Sequence, residues 1–267
     1  MSDKRRRRRR SSERAAAGER TTTIGPPGGQ VKEERRQHRR DEARLQREAI
    51  RRAAVRRERT RKAVIGAVVL VLVAAGVGLF VRNHSAGVQR TKEQEALLAQ
   101  AAAAEKAAGC GTVKDVGAYN PGAEDRQHTT AIQPLDSYPS QPPASGPHDP
   151  TPLGSGFYRS PPPIGRAIHS LEHGAAEVWY APSASGPELD RIKQVLAGED
   201  HVIIAPYQYP GAGGALPTGQ QMALVAWHHV QGCGRVSAAV AVAFVRSYDA
   251  SVATDYRGDA PEAGSPI

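Results

Sequence analysis

The chain has 267 residues, a formal net charge of +9 and 5% aromatic residues. Its charge is divided: Met1 to Lys62 holds 23 Lys and Arg against nine Asp and Glu, and the remaining 13 against 18 leave residues 63–267 acidic. This excludes a basic nucleic-acid-binding domain, and the basic segment contains no aromatic residue on which a base could stack, so no specific nucleic acid is expected as a partner.

Residues 1–40 combine the run Arg5 to Arg10 with Gly, Pro, Ser and Thr and offer little apolar surface to offset chain entropy, so a disordered basic tail is expected. Residues 41–62 are rich in Arg, Glu and Ala and predict a basic helix abutting a membrane. The stretch Ala63 to Val81, AVIGAVVLVLVAAGVGLFV, has no charge across nineteen residues, enough helix to cross a hydrocarbon core of roughly 30 Å. A cleaved signal peptide has a shorter apolar stretch close to its start, whereas some sixty residues precede this one, so it is read as an uncleaved signal anchor.

Arg51, Arg52, Arg56, Arg57, Arg59, Arg61 and Lys62 lie on one side of the span, and only Arg82 and Arg90 lie close on the other. The positive-inside rule then puts the tail in the cytoplasm beside anionic lipid and the remainder outside, in a single-pass protein of the cell membrane.

Residues 82–108 are read as a helical stalk, with Gly109 and Gly111 ending it beside Cys110. Cys110 and Cys233, the chain's two cysteines, both fall on the outer side, where a disulfide between them would persist. Closing a loop that long stabilises by roughly 4 to 5 kcal/mol in the chain-entropy model.

From Thr112 to Gly165 prolines are dense and no apolar period is visible, which in a compact domain points to a functional or an unstructured segment. Regular patterning then begins. AAEVWY reads as a strand, ELDRIKQVLAG as a helix, HVIIAPY and MALVAWHHV as two strands and VSAAVAVAFVRSYDA as a closing helix. This β-α-β-β-α order predicts an α+β domain with a small mixed sheet over residues 109–257, and residues 258–267 should be loose.

The segment HSLEHG at His169 to Gly174 raises the chemical question. His169 and His173 are four apart and share a helical face, with Glu172 beside them, the H-x-x-E-H spacing of an inverted-zincin peptidase. Such a peptidase also needs a carboxylate ligand on a later helix, where only Asp249 is on offer. His148, at the end of the Pro-rich loop, can supply a third imidazole, and His128 is a more distant candidate. Three neutral imidazoles suit zinc or copper. The alternative is that these histidines only brace a loop whose carbonyls lack ladder partners. His228 and His229 alternate sides of a predicted strand, and His201 is expected at the surface.

The blocks YPSQPPASGPH at Tyr138 to His148 and HSLEHGAAEVWY at His169 to Tyr180, with Cys110 before them and Ala226-Trp227 after, resemble the bacterial membrane-anchored family called domain of unknown function 3105. Ala144 stands where that family more often has Thr, and His228 where it often has Gly or a basic residue. The resemblance implies that the loop histidine and the helix pair form one site, and it weighs against the much larger inverted zincins. The expectation is therefore a non-enzymatic metal site of His148, His169 and His173, with Glu172 orienting an imidazole from behind. A metal-free envelope module that binds a protein partner is the alternative, and a hydrolase using Glu172 comes third.

Overall fold

A computed structural model describes residues 28–119 and 123–267. Helix α1, Gly28–Leu98, is followed by the short α2, Ala101–Ala107. It begins inside the segment read as a disordered tail, because VKEERRQHRR is built of good helix formers; residues 1–27 of that segment lie outside the described residues.

The chain divides into two units, residues 1–77 and 78–267. In the described part of the first, apolar side chains such as Val64, Leu70 and Val71 are more than half exposed along a helix long and apolar enough to cross a membrane. Ion pairs such as Arg44–Glu48 and Lys62–Glu58 run along its exposed basic part at i,i+4 spacing.

The second unit is built on a six-stranded mixed sheet. Its strands are β1 (Lys114–Asp115), β2 (Gly156–Phe157), β3 (Ala176–Tyr180), β4 (Val202–Pro206), β5 (Met222–Ala226) and β6 (His229–Cys233), in the order β1-β6-β5-β3-β4-β2. β3 and β4 run parallel and are connected through α4, Pro187–Leu196; β3, β5 and β6 form an antiparallel series. Every residue of β3, β4 and β5 is buried, as a sheet covered on both faces requires.

The alternation of β3 assigns the two faces. Val178 and Tyr180 join Ile192, Leu196, Val242 and Phe244 of α4 and of α5, Ala238–Tyr248. Trp179 points the other way and joins Ile203, Val225 and Trp227 against α3, Ile164–Glu172, and against Leu135, Tyr138, Ala144 and Leu153 of the Pro-rich loop. The loop is therefore a packed layer over one sheet face.

Three sequence expectations change. MALVAWHHV is two strands, because Trp227-His228 is a tight turn with His228 at φ +60, and a turn without Gly, Asn or Pro gives no signal. The stalk is no free spacer near its end: Gln94 donates to the carbonyl of Val195 at 2.7 Å, and Leu97 is buried against the sheet domain. Nor are residues 258–267 loose, since 259–266 form a strap bonded to the end of α3 through Glu262, Gly264 and Pro266. Cys110 and Cys233 form the expected disulfide, tying the segment after α2 to the end of β6.

Candidate metal centre

Helix α3 is buried along nearly its whole length and carries His169 and Glu172, with His173 as its C-cap. Gly174 terminates it at φ +90, where a Cβ would lie 2.6 Å from that of Ala250. The Pro-rich loop is pinned along this helix: the Ser170 hydroxyl donates to the Leu153 carbonyl at 2.7 Å and accepts from the Leu153 N–H at 2.8 Å.

Gly146, at φ +114, turns the loop under Tyr138 and Tyr119, and a Cβ there would meet their rings and side chains at 2.8 to 2.9 Å. That turn delivers His148, fully buried, to the helix. His128 arrives by backbone pairing, as the His148 N–H donates to the Gln127 carbonyl at 2.9 Å and the Thr129 N–H to the His148 carbonyl at 2.6 Å.

Four imidazoles and one carboxylate result. The ring centroids of His128, His148, His169 and His173 lie 4.6 to 4.9 Å from a neighbour. One ligand atom each from His128, His148, His169 and Glu172 falls within 4.8 Å of all the others. A tetrahedral zinc ion with bonds of about 2.0–2.1 Å sets neighbouring ligand atoms roughly 3.3 Å apart, so this donor set fits a single ion with small side-chain adjustments.

The tautomers are fixed by the backbone. Nδ1 of His148 faces the Gly146 carbonyl at 2.7 Å, Nδ1 of His169 the Asp149 carbonyl at 2.6 Å and Nδ1 of His173 the Pro266 carbonyl at 2.8 Å. A carbonyl only accepts, so each Nδ1 carries the proton and each Nε2 of a neutral ring keeps its lone pair. Those lone pairs face other acceptors: His148 Nε2 lies 3.0 Å from Glu172 Oε2, and His169 Nε2 lies 3.0 Å from His173 Nε2. Acceptors in such contact need a cation between them, a proton or a metal.

Protonation is opposed at His169, where burial and then the neighbouring imidazoles hold the pKa below its ordinary value despite the Asp149 carbonyl. Burial pushes Glu172 up, but hydrogen bonds and charges from His148 and Arg126 outweigh it and bring the carboxyl down to about 2. Its Oε1 accepts from Arg126, and Oε2 lies among the nitrogens, 3.4 Å from His128 Nε2.

The residues expected from sequence thus lie together, with two differences in arrangement. Glu172 presents Oε2 to the imidazoles directly, and His128 belongs to the compact group while His173 sits one contact beyond it, against His169. His228 and His229 lie outside the group, and both reach Asp259, at 3.0 and 3.5 Å. They do so because a turn, not an extended strand, joins them. His228 also meets Asp125 at 2.8 Å; burial lowers its pKa, but the two carboxylates overcome this and push it up to about 9. His201 is buried, correcting the surface assignment, because Nε2 donates to the Ser265 carbonyl of the strap at 2.7 Å.

A family model described as a protein of unknown function (DUF3105) matches residues 128–263, just over half of the chain. The chain belongs to the DUF3105 family. The DUF3105 match opens at His128 itself and runs into the strap, so it encloses every histidine and carboxylate of the centre. No curated protein and no solved structure matches this chain.

Proposed function

We propose that this DUF3105 chain is a single-pass membrane protein whose sheet domain, outside the membrane, holds one divalent transition metal, zinc or copper, and does so without turnover. The ligands are His148 and His169 with Glu172 Oε2 and His128, and His173 Nε2 adjoins the ligating Nε2 of His169. The observation that supports this most is the anchoring of the Nδ1 atoms on backbone carbonyls, the usual arrangement behind metal-binding imidazoles. Binding is preferred to hydrolysis because Glu172 has both oxygens engaged, one by Arg126 and one among the nitrogens, and a general base needs an oxygen turned to water. The ion would neutralise the Glu172 charge and fill the gap between facing lone pairs.

The apolar stretch of α1, exposed on all sides, favours a bilayer as its surroundings, and the Arg-rich segment before it favours anionic lipid on the cytoplasmic side. A second reading keeps the domain and removes the ion: the same carbonyl bonds brace the Pro-rich loop, which then serves as a binding surface for an envelope protein.

Elemental mass spectrometry on the full-length protein, purified without a polyhistidine tag, separates the two. The metal reading expects close to one zinc or copper per chain, lost in His148→Ala/His169→Ala. Protein that stays metal-free after incubation with both ions, with unfolding behaviour unaltered by them, would establish the bracing role instead.

A further inference from the structure

We infer that residues 259–266 are a clamp on the ligand-bearing end of α3 that sets how fast the bound ion leaves; the inference rests on the metal-binding reading above. A helix ends with carbonyls that lack intrahelical partners. Here the strap supplies them: the Glu262 N–H donates to the Glu172 carbonyl at 3.0 Å and the Gly264 N–H to the His173 carbonyl at 2.9 Å. The same strap fixes a tautomer, because the Pro266 carbonyl accepts from His173 Nδ1. Main-chain groups of one segment therefore hold Glu172 and His173 of the HSLEHG motif.

Side chains fasten the strap at both ends and in its middle. Asp259 pairs with His228 at 3.0 Å, and the Ser265 carbonyl accepts a hydrogen bond from His201 Nε2. Between them Glu262 meets Arg126 at 2.7 Å, and that guanidinium also holds Glu172, so one cation links the strap to a ligand carboxylate. Of the grouped ligands, His128 has a side chain 46% exposed while those of His148 and Glu172 are almost wholly buried. An ion leaving past His128 must still be released by Glu172, whose main chain the strap holds in place. Loosening the strap lets the last turn of α3 unwind, and the carboxylate swings away.

The test is zinc release from the full-length protein to an excess of a chromogenic chelator, with hydrogen exchange of the Glu262 and Gly264 amides followed in parallel. Asp259→Asn removes a fastening remote from the ligands. It should leave one zinc per chain and accelerate both exchange and zinc release, the latter severalfold. Glu262→Gln, which loosens the middle of the strap, is read in the same way should Asp259→Asn not fold. Faster amide exchange with an unchanged release rate overturns the clamp and leaves the metal centre standing. Wild-type protein that takes up neither zinc nor copper overturns both.

Discussion

Glu177 lies in the middle of β3 with 1% of its surface exposed, on the face that carries Trp179. The Trp179 indole donates to Oε2 at 2.7 Å, while Oε1 has no partner. Burial dominates over that single hydrogen bond and raises the carboxyl to about 8. The native state therefore keeps a proton that the unfolded chain releases near its ordinary value of 4.5, so Glu177 erodes stability as pH rises from there through about 8. Glu177→Gln should remove that slope and leave the protein more stable than wild type at pH 8, by up to roughly 4 kcal/mol. Urea midpoints of both proteins between pH 5 and 8.5 would show it; parallel curves would contradict a buried neutral acid. Asp249, raised by burial to about 6, contributes a similar loss in a lower window, which both proteins share.

At the scale of elements, the HSLEHG helix depends on an abrupt stop. Gly174→Ala places a side chain at φ +90 and against Ala250 and Ala263, a conflict with both α5's following turn and the strap. A loss of about 1–3 kcal/mol is expected in chemical unfolding, with faster exchange of the Gly264 amide. An unchanged midpoint would mean that the strap yields without resistance.

The helix pair and His148 were legible from spacing and from the two sequence blocks, since periodicity and short motifs are local properties. His128 stood out only weakly, because a backbone bridge to His148 that no periodicity announces brings it to the group. The strap was invisible for a related reason. RGDAPEAGSPI has the composition of a loose tail, and what orders it is the set of unsatisfied carbonyls at the end of a helix some ninety residues earlier. The β5–β6 hairpin was hidden because Trp227-His228 continues an unbroken strand-like run.

For the whole molecule, the disulfide closes a covalent ring between residues 110 and 233, 123 apart in sequence. The double variant Cys110→Ser/Cys233→Ser should lose up to roughly 4–5 kcal/mol of stability in the chain-entropy picture, read as a lower denaturant midpoint than that of the oxidised wild type. A midpoint equal to the oxidised protein's would show that the packing of α2 against α5 secures that side of the sheet without the bond. The same ring has a mechanical meaning. Under tension applied to α2 on one side and to residues beyond α5 on the other, the load crosses from Cys110 directly to Cys233, and the chain between them cannot lengthen while the bond lasts. His128, His148, His169 and Glu172 all lie inside that inextensible ring, whereas the strap lies outside it. Pulling would thus peel the strap from α3 while the four grouped side chains stay together, so traction on the chain would loosen the end of the HSLEHG helix before it separated them.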